Sequence, residues 1–325
     1  MIRLGLIGCG EHSESGHAIP LARFKNEHPG ALELSAVCDV RLDRAEFFHG
    51  KYGFLKSYAR LDQMLAEEKL DACVAVVPVD RIPQVGSQLL NAHIPCVLEK
   101  PLGGSLEDVA DLLDTARVTL TPNMVSVNRR FMPLLNRAIT WARDNGNLRY
   151  VRCTFTRNRR TEPEFLWGTA VHAVDALRHI AGDIEEAMIH TLKRVEATAD
   201  WYAIDVSFRS GVNGRIDVMP TAGVLDETYE LIGEGYRVLV TCPFGPQRGV
   251  RCFREDRLVV EESAEGMPED VLNGCYDEAS AFISAVTNKQ PLHPSVEEVF
   301  PSVELCWLLA RQLMSETQSP VSIKS

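Results

Sequence analysis

The chain has 325 residues, of which 45% are hydrophobic and 24% are charged, and its formal net charge is −11. This composition suits a soluble protein of two domains, and the negative charge argues against nucleic acid and against an anionic membrane surface as partners. No apolar run approaches the roughly 20 residues that a membrane-spanning helix needs. The nine cysteines are scattered without a Cys-x-x-Cys pair, so we expect a protein of a reducing compartment, the cytoplasm.

The first predicted element is a buried strand over residues 2–7, which a glycine turn follows at once. Gly8 and Gly10 frame this turn, and an apolar pattern typical of a helix comes next. A strand, a glycine turn and a helix are the setting in which bare backbone and a helix N-terminus receive a pyrophosphate. Ser13 stands where the dinucleotide-binding fingerprint usually has glycine or alanine, so the match to that fingerprint is partial.

The same loop carries Cys9, His12 and His17, which are residue types that bind metal ions. Their spacing matches no standard metal site, and a nucleotide explains the loop better. No metal is therefore expected.

The second predicted strand, residues 32–38, is followed by an acid, Asp39. A carboxylate at this point accepts the adenosine ribose hydroxyls and repels a 2′-phosphate, which favours NAD over NADP. Arg41 and Arg44 follow closely, and an arginine just past this strand is how a 2′-phosphate is accommodated. NADP therefore remains open as the cofactor.

Further strands and helices alternate along the first part of the chain. One strand ends near Pro78, and another ends on the charged pair Glu99 and Lys100. The carboxyl ends of parallel strands form the ligand edge of a sheet, so these residues are expected beside a bound cofactor. The alternation predicts a Rossmann-type doubly wound parallel sheet in a domain of residues 1–123.

Residues 124–325 form the second predicted domain, of the α+β class. Short strands bounded by turns dominate its middle, and they predict a mainly antiparallel sheet. Helices are predicted near residues 169–181, 277–286 and 296–313. The fold class is therefore α/β, with a Rossmann domain first and an α+β domain second.

Several motifs together resemble the glucose–fructose oxidoreductase/inositol dehydrogenase (Gfo/Idh/MocA) family, in order along nearly the whole chain. They are Gly8-Cys9-Gly10, Glu99-Lys100-Pro101, the segment Asn128–Pro133, the segment His172–Gly182 and the pattern from Gly274 to Phe282. The resemblance implies an NAD(P)-dependent dehydrogenase that acts on a sugar, a cyclitol or a related hydroxy compound. It also implies a homodimer or homotetramer, in which the open face of the second sheet makes the subunit contact.

By the same resemblance, Lys100 lies beside the reacting carbonyl and His172 donates or accepts the proton. A histidine suits this role because hydride leaves a carbinol carbon only as its hydroxyl proton is taken, and a cationic lysine stabilises the alkoxide. The family commonly has an aspartate where this chain has Gly168. Asp175, on the same helical face as His172, is the candidate for holding the imidazole.

Arg157 opens a basic cluster after a predicted strand, in a loop that approaches the substrate in this family. It is the candidate for binding a substrate carboxylate through its two-pronged guanidinium. The alternative is a solvated charge run that pairs with nearby glutamates.

The residues predicted to act therefore fall into three groups. The cofactor-binding residues are Gly8, Gly10, Ser13, Asp39, Pro78, Glu99 and Lys100; the catalytic residues are Lys100, His172 and Asp175; and the substrate-binding residues are Lys100, Arg157 and His172. Two other functions stay open: a sensor that binds nucleotide and sugar without turnover, and an NAD-requiring lyase or glycosidase that oxidises its substrate transiently.

Overall fold

The computed structural model describes residues 1–193, 200–315 and 320–323. The chain divides into two compact units. The first unit contains residues 1–128 and 274–300, and the second contains residues 129–273 and 301–325. Each unit is considered by itself below.

The first unit is built on a six-stranded sheet with the order β3-β2-β1-β4-β5-β6. Every pair of neighbours in it is parallel. Both faces of such a sheet are covered, so its strands read as nearly continuous apolar runs, and β4 and β5 are buried along their whole length. The strands are β1 (Ile2–Ile7), β2 (Leu32–Cys38), β3 (Lys56–Tyr58), β4 (Ala72–Ala75), β5 (Cys96–Glu99) and β6 (Asn123–Ser126).

Helices connect these strands, as parallel pairing requires. In the first connection, a π-helix of residues Glu14–Ala18 separates two α-helical segments. Ser105 caps the last connecting helix by accepting a hydrogen bond from the backbone N–H of Asp108. The α-helices are α1 (Glu11–Ser13), α2 (Ile19–Glu27), α3 (Leu42–Tyr52), α4 (Leu61–Glu67), α5 (Ile82–Asn91) and α6 (Leu106–Thr119).

The second unit is built on a nine-stranded sheet with the order β14-β13-β12-β11-β7-β10-β9-β8-β15. All its pairs are antiparallel except β7 with β10. The strands are β7 (Leu148–Thr156), β8 (Ile184–Lys193), β9 (Trp201–Phe208), β10 (Asn213–Met219), β11 (Asp226–Gly233), β12 (Tyr236–Thr241), β13 (Gly249–Arg254), β14 (Arg257–Ser263) and β15 (Val321–Ser322).

The remaining helices come after β6 in the chain. They are α7 (Pro133–Asn145), α8 (Phe165–Gly168), α9 (Val171–Ala181), α10 (Glu269–Leu272), α11 (Cys275–Asn288) and α12 (Val296–Ser315). Helix α9 is buried over seven consecutive residues, Val171–Leu177, so His172 and Asp175 are buried residues that belong to the second unit.

These observations confirm the predicted fold class, a Rossmann-type parallel sheet followed by a mainly antiparallel sheet. The compact units differ from the predicted division at residue 123, which falls on the first residue of β6. The chain leaves the parallel sheet only after that strand, and residues 274–300 return to the first unit. Within the part of the chain that the structure describes, no helix is both long enough and apolar enough to cross a bilayer.

Candidate functional site

Gly8 makes the turn that follows β1. Its φ of +92° is a conformation that side chains rarely adopt, and a Cβ here would lie 1.9 Å from the carbonyl oxygen of Val76. The backbone N–H of Gly8 donates to the carbonyl of Cys38 at 2.7 Å, and its carbonyl accepts from Ser13 Oγ at 2.6 Å. Only glycine fits this position, and the buried Ser13 hydroxyl closes the turn from within the helix.

Gly10 has a different reason to be glycine. Its φ of −87° is ordinary, and a Cβ added there would meet no atom within 4 Å. The space beside Gly10 is therefore open, directly before the N-terminus of the helical segment that begins at Glu11. Open space at a helix N-terminus receives a phosphate, since backbone N–H groups and the helix dipole both favour an anion there.

Asp39 is held at the end of β2 by two backbone groups. Its Oδ2 accepts from the N–H of Cys9 at 2.8 Å, and its Oδ1 accepts from the N–H of Arg41 at 2.8 Å. The carboxylate is therefore fixed beside the glycine turn, where the predicted contact with the ribose requires it. The Arg41 guanidinium pairs with Asp43 at 2.7 Å.

The ends of two parallel strands, at the same edge of the sheet, carry Pro78, Glu99 and Lys100. Pro78 comes after β4 and precedes a short 3-10 helix, and Glu99 is the last residue of β5. Glu99 Oε2 accepts from the backbone N–H of Lys100 at 2.7 Å, which fixes the backbone at the lysine. The turn, Asp39 and these strand ends suit a dinucleotide, whose nicotinamide supplies the hydride chemistry when it is bound.

Two histidines from the helical segment approach Glu99. His12 Nε2 is hydrogen-bonded to Glu99 Oε1, and His17 Nε2 lies 4.0 Å from the same oxygen. Burial by itself raises the pKa of Glu99, but His12, together with His17 and Lys100, outweighs burial and holds the pKa of this carboxyl well below its ordinary value. Glu99 is therefore a buried carboxylate.

Asp175 lies in the second unit, one helical turn beyond His172. Its two carboxylate oxygens accept from Arg130 at 2.7 and 2.8 Å, and Oδ1 also accepts from Ser302 at 2.8 Å. Arg178 lies 4.0 Å from the same carboxylate. The carboxylate of Asp175 thus forms an ion pair with Arg130, and its predicted orienting contact with His172 stays a prediction.

Arg157 does not present its guanidinium as an open carboxylate clamp, and this prediction is wrong for the structure described. The side chain is 6% exposed, bonds to Glu227, and stacks on Phe155 at 3.6 Å. Arg129 bonds to the same carboxylate at 2.6 Å. Burial raises the pKa of Glu227, but the two guanidiniums outweigh it and lower this pKa. Arg160 pairs with Glu162, as the alternative expected.

Sequence reasoning missed the partners that decide these roles. Arg130 and Glu227 were not singled out as partners, and Glu99 was not joined to the two histidines. Each partner lies far along the chain from the residue it contacts: Arg130 is 45 residues from Asp175, and His12 is 87 residues from Glu99. The one available signal was a charge on the buried face of a strand. Glu227 alternates with Tyr229 and Leu231 on that face of β11, and a buried glutamate needs a cationic partner.

The fold and the cofactor edge of the first unit define a class, the dinucleotide-binding Rossmann proteins. Residues 2–128 match the family described as "Oxidoreductase family, NAD-binding Rossmann fold" (GFO_IDH_MocA). This match over residues 2–128 confirms the resemblance to the Gfo/Idh/MocA oxidoreductases that the motifs predicted. The description of this family names oxidoreductases and an NAD-binding Rossmann fold, which agrees with the nicotinamide dinucleotide predicted as the cofactor of the first unit.

Among curated proteins, the chain is 24% identical over 243 residues to glucose-6-phosphate 3-dehydrogenase of Bacillus subtilis (strain 168). The match covers 72% of this chain and 64% of that protein. It is also 23% identical to the uncharacterized protein YMR315W of Saccharomyces cerevisiae, over 60% of this chain and 54% of that protein. The chain thus matches less than two-thirds of the length of these relatives.

Solved structures share the fold at low sequence identity. A levoglucosan dehydrogenase in complex with NADH and levoglucosan has a TM-score of 0.85 and 15% identity, with all of both chains covered. An oxidoreductase from Agrobacterium radiobacter, in complex with NAD+, L-tartaric acid and magnesium, has a TM-score of 0.81 and 16% identity. That match covers 99% of this chain and 98% of the other. These likenesses show the fold.

Proposed function

We propose that the protein transfers a hydride between a nicotinamide dinucleotide and the alcohol or ketone carbon of a sugar, a cyclitol or a sugar-acid-like compound. The observation that carries this proposal is the cofactor edge of the first unit. An open space beside Gly10, a carboxylate fixed at Asp39 and a lysine after β5 together suit a dinucleotide and a reacting carbonyl. Glucose-6-phosphate 3-dehydrogenase and levoglucosan dehydrogenase, to which this chain is similar, are named for sugar substrates, and this supports a sugar-like substrate.

In this proposal, the ammonium group of Lys100 stabilises the oxygen of the substrate as negative charge develops on it. Glu99 supports this role from the backbone, since its carboxylate fixes the N–H of Lys100. Lys100 belongs to the first unit, so the same edge of the sheet carries both this cation and the residues proposed to bind the cofactor.

His172 accepts the hydroxyl proton during oxidation and returns it during reduction. Its Nδ1 is buried, so we place the proton transfer at Nε2. Neutral imidazole suits this role near neutral pH. We propose that the second unit, which carries His172, also binds the substrate.

We propose that Asp175 has a positioning role, although the sequence predicted a catalytic one. Because Arg130 neutralises its carboxylate, Asp175 has less influence on the imidazole of His172 than an aspartate bonded directly to that ring. With Gly168 where the family commonly has an aspartate, this pairing also favours the second candidate function. That candidate is a module that binds nucleotide and a sugar with little turnover.

Purified protein should be incubated with NAD or NADP and a panel of sugars, sugar phosphates, cyclitols and sugar acids, with nicotinamide absorbance as the readout. Lys100→Met and His172→Asn are the test variants. Lys69→Met and His49→Asn, both at exposed positions, are the matched controls. We expect the wild-type protein to reduce the nicotinamide cofactor. Both test variants should lower the rate of this reduction at least 100-fold, and both controls should leave it unchanged.

Two other results would contradict hydride transfer as the net reaction. Tight binding of NAD and sugar without turnover of any substrate would indicate the sensor. Conversion of a substrate that requires NAD but changes no nicotinamide absorbance would indicate a lyase or glycosidase with transient oxidation.

We propose further that the protein is a homodimer or homotetramer of the cytoplasm, with no nucleic-acid or membrane partner. All nine cysteines are free thiols, which suits a reducing compartment. Light scattering of the purified protein tests the subunit number, and a monomeric mass would contradict the oligomer.

A further inference from the structure

Three metal-binding side chains meet at the cofactor edge of the first unit. His12, His17 and Glu99 each offer one ligand atom, and these atoms all lie within 4.8 Å of one another. The proximity is the product of two separate pieces of chain, since both histidines follow β1 and Glu99 ends β5.

The π-helix brings the two histidines together. In a regular α-helix each residue turns by about 100°, so residues five apart point about 140° away from each other. Here the chain forms a π-helical turn over Glu14–Ala18, with the N–H of Ile19 bonded to the carbonyl of Glu14. A π turn is wider by one residue, and such turns occur often at functional sites. The rings of His12 and His17 lie with their centroids 6.2 Å apart.

Of the three side chains, His17 has the ring nitrogen that most needs a ligand. Its side chain is only 6% exposed, and among the described residues its Nε2 has no hydrogen-bond partner. Glu99 Oε1, at 4.0 Å, is beyond hydrogen-bond distance. A buried ring nitrogen aimed at a buried carboxylate without bonding to it costs free energy, unless a third group lies between them.

We propose that His12, His17 and Glu99 form a binding site for a zinc-type divalent cation. The ion bonds to Nε2 of both histidines and to Oε1 of Glu99. It neutralises the buried carboxylate and gives His17 Nε2 its partner. Three protein ligands leave one position of a tetrahedral zinc site for water or for an oxygen of a small ligand.

The ligand set decides the class of cation. Two imidazoles with one carboxylate suit zinc and its neighbours among the transition metals. Magnesium and calcium prefer all-oxygen sites, so they fit poorly. The side chain of His12 is 61% exposed, which gives the ion a path from solvent to the two buried ligands.

The required rearrangement is small. Zinc–ligand bonds of about 2.0–2.1 Å place neighbouring ligand atoms about 3.3 Å apart in a tetrahedral site. His12 and Glu99 are now closer than this, and His17 and Glu99, at 4.0 Å, are farther apart. Side-chain movements of about 1 Å therefore suffice.

The test measures the metal directly and does not depend on turnover. Full-length protein without a histidine tag is treated with a chelator, dialysed, and titrated with Co²⁺ and then Zn²⁺. Visible absorbance reports the geometry of the Co²⁺ site, and mass spectrometry of the metal gives the stoichiometry. The variants are His12→Ala, at the exposed ligand, and Glu99→Gln, at the buried one. His49→Ala removes an exposed histidine from α3 and serves as the control.

We expect one Zn²⁺ per wild-type chain and a tetrahedral Co²⁺ spectrum, both retained by His49→Ala. His12→Ala should weaken binding at least tenfold, and this variant keeps its fold because the side chain is largely exposed. Wild-type protein that binds no more Zn²⁺ than His12→Ala would overturn the proposal.

The proposed zinc site has a different ligand set from the one that the spacing of Cys9, His12 and His17 argued against. The third ligand is Glu99 rather than Cys9, and the π-helix removes the objection to a five-residue separation. The metal titration uses no substrate or nucleotide, so its result is separate from that of the hydride-transfer assay.

Discussion

The backbone N–H of Cys9 donates a 2.8 Å hydrogen bond to Oδ2 of Asp39. This bond joins the glycine turn after β1 to the end of β2, so the carboxylate that we propose for the ribose and the loop that we propose for the pyrophosphate hold each other in place. In the proposed site, cofactor selectivity and the shape of the loop therefore depend on the same carboxylate.

Replacing Asp39 should change the choice of cofactor. Asp39→Asn keeps the size of the side chain and one acceptor oxygen but removes the charge that repels a 2′-phosphate. We expect the preference for NAD over NADP, measured as the ratio of dissociation constants, to fall about tenfold or more, a change of about 1.4 kcal/mol. Asp111→Asn, at an exposed position of α6, should leave the ratio unchanged. An unaltered ratio in Asp39→Asn would exclude the ribose contact.

The two glycines of the turn should respond in opposite ways to alanine. Gly10→Ala adds a methyl group to open space at an ordinary φ, so thermal stability should hold while nucleotide affinity drops at least tenfold. Gly8→Ala places its Cβ against the Val76 carbonyl at a φ of +92°, and should lower the free energy of unfolding by more than about 3 kcal/mol. Gly50→Ala, also without a close neighbour, is the control. Normal NAD binding by Gly10→Ala would contradict the assigned pyrophosphate position.

The buried cluster of Arg129, Arg157 and Glu227 should be sensitive to loss of its one carboxylate. Glu227→Gln removes the buried carboxylate to which both guanidiniums bond, and we expect the free energy of unfolding in urea to fall by about 3–5 kcal/mol. Glu234→Gln breaks the exposed pair with Arg149 and should change stability little. Equal stabilities of the two variants would show that the buried cluster is not structural.

His179 should make the second unit less stable in acid. Burial lowers the pKa of this imidazole to about 4 from its ordinary 6.5, and Arg130 and Arg143 add to the effect while Asp175 opposes it. Between these two values the unfolded chain takes up the proton and the folded chain does not. Stability therefore falls as the pH drops from about 6.5 to about 4, by up to about 3 kcal/mol.

Chemical unfolding at a series of pH values tests this contribution of His179. His179→Gln removes the titrating group and should flatten the curve over this interval, whereas His49→Gln should not. The Nε2 of His179 lies 2.9 Å from Oδ1 of Asn136, a contact that the neutral ring can make as a donor. A pH profile of His179→Gln identical to that of the wild type would contradict the assignment.

The fold of this chain could be predicted from the sequence because the features that indicate it are local. The apolar run of β1, the glycines after it and the acid after β2 lie within 39 residues, and each follows from backbone or burial rules. The positions of Gly8 and Asp39 needed no knowledge of distant contacts.

The partners within the site were not readable for the opposite reason. Glu227 lies opposite Phe155 in the pairing of β11 with β7, and only that register carries its carboxylate to Arg157. Local charge patterns favoured an exposed arginine, since no residue near Arg157 in the sequence indicates that a buried glutamate contacts it. The π-helical turn at His17 was equally hidden, because apolar periodicity does not distinguish it from an α-helix.

The first unit is assembled from the two ends of a long stretch of chain, and this affects how the protein is made. The N–H of Val125, in β6, donates to the carbonyl of Pro294 at 2.8 Å, and Ser126 Oγ donates to Glu278 at 2.8 Å. When the ribosome has completed β6, these acceptors do not yet exist. The nascent sheet must therefore wait for these partners of β6 while about 150 to 170 more residues are added, which takes at least several seconds at ordinary rates of synthesis.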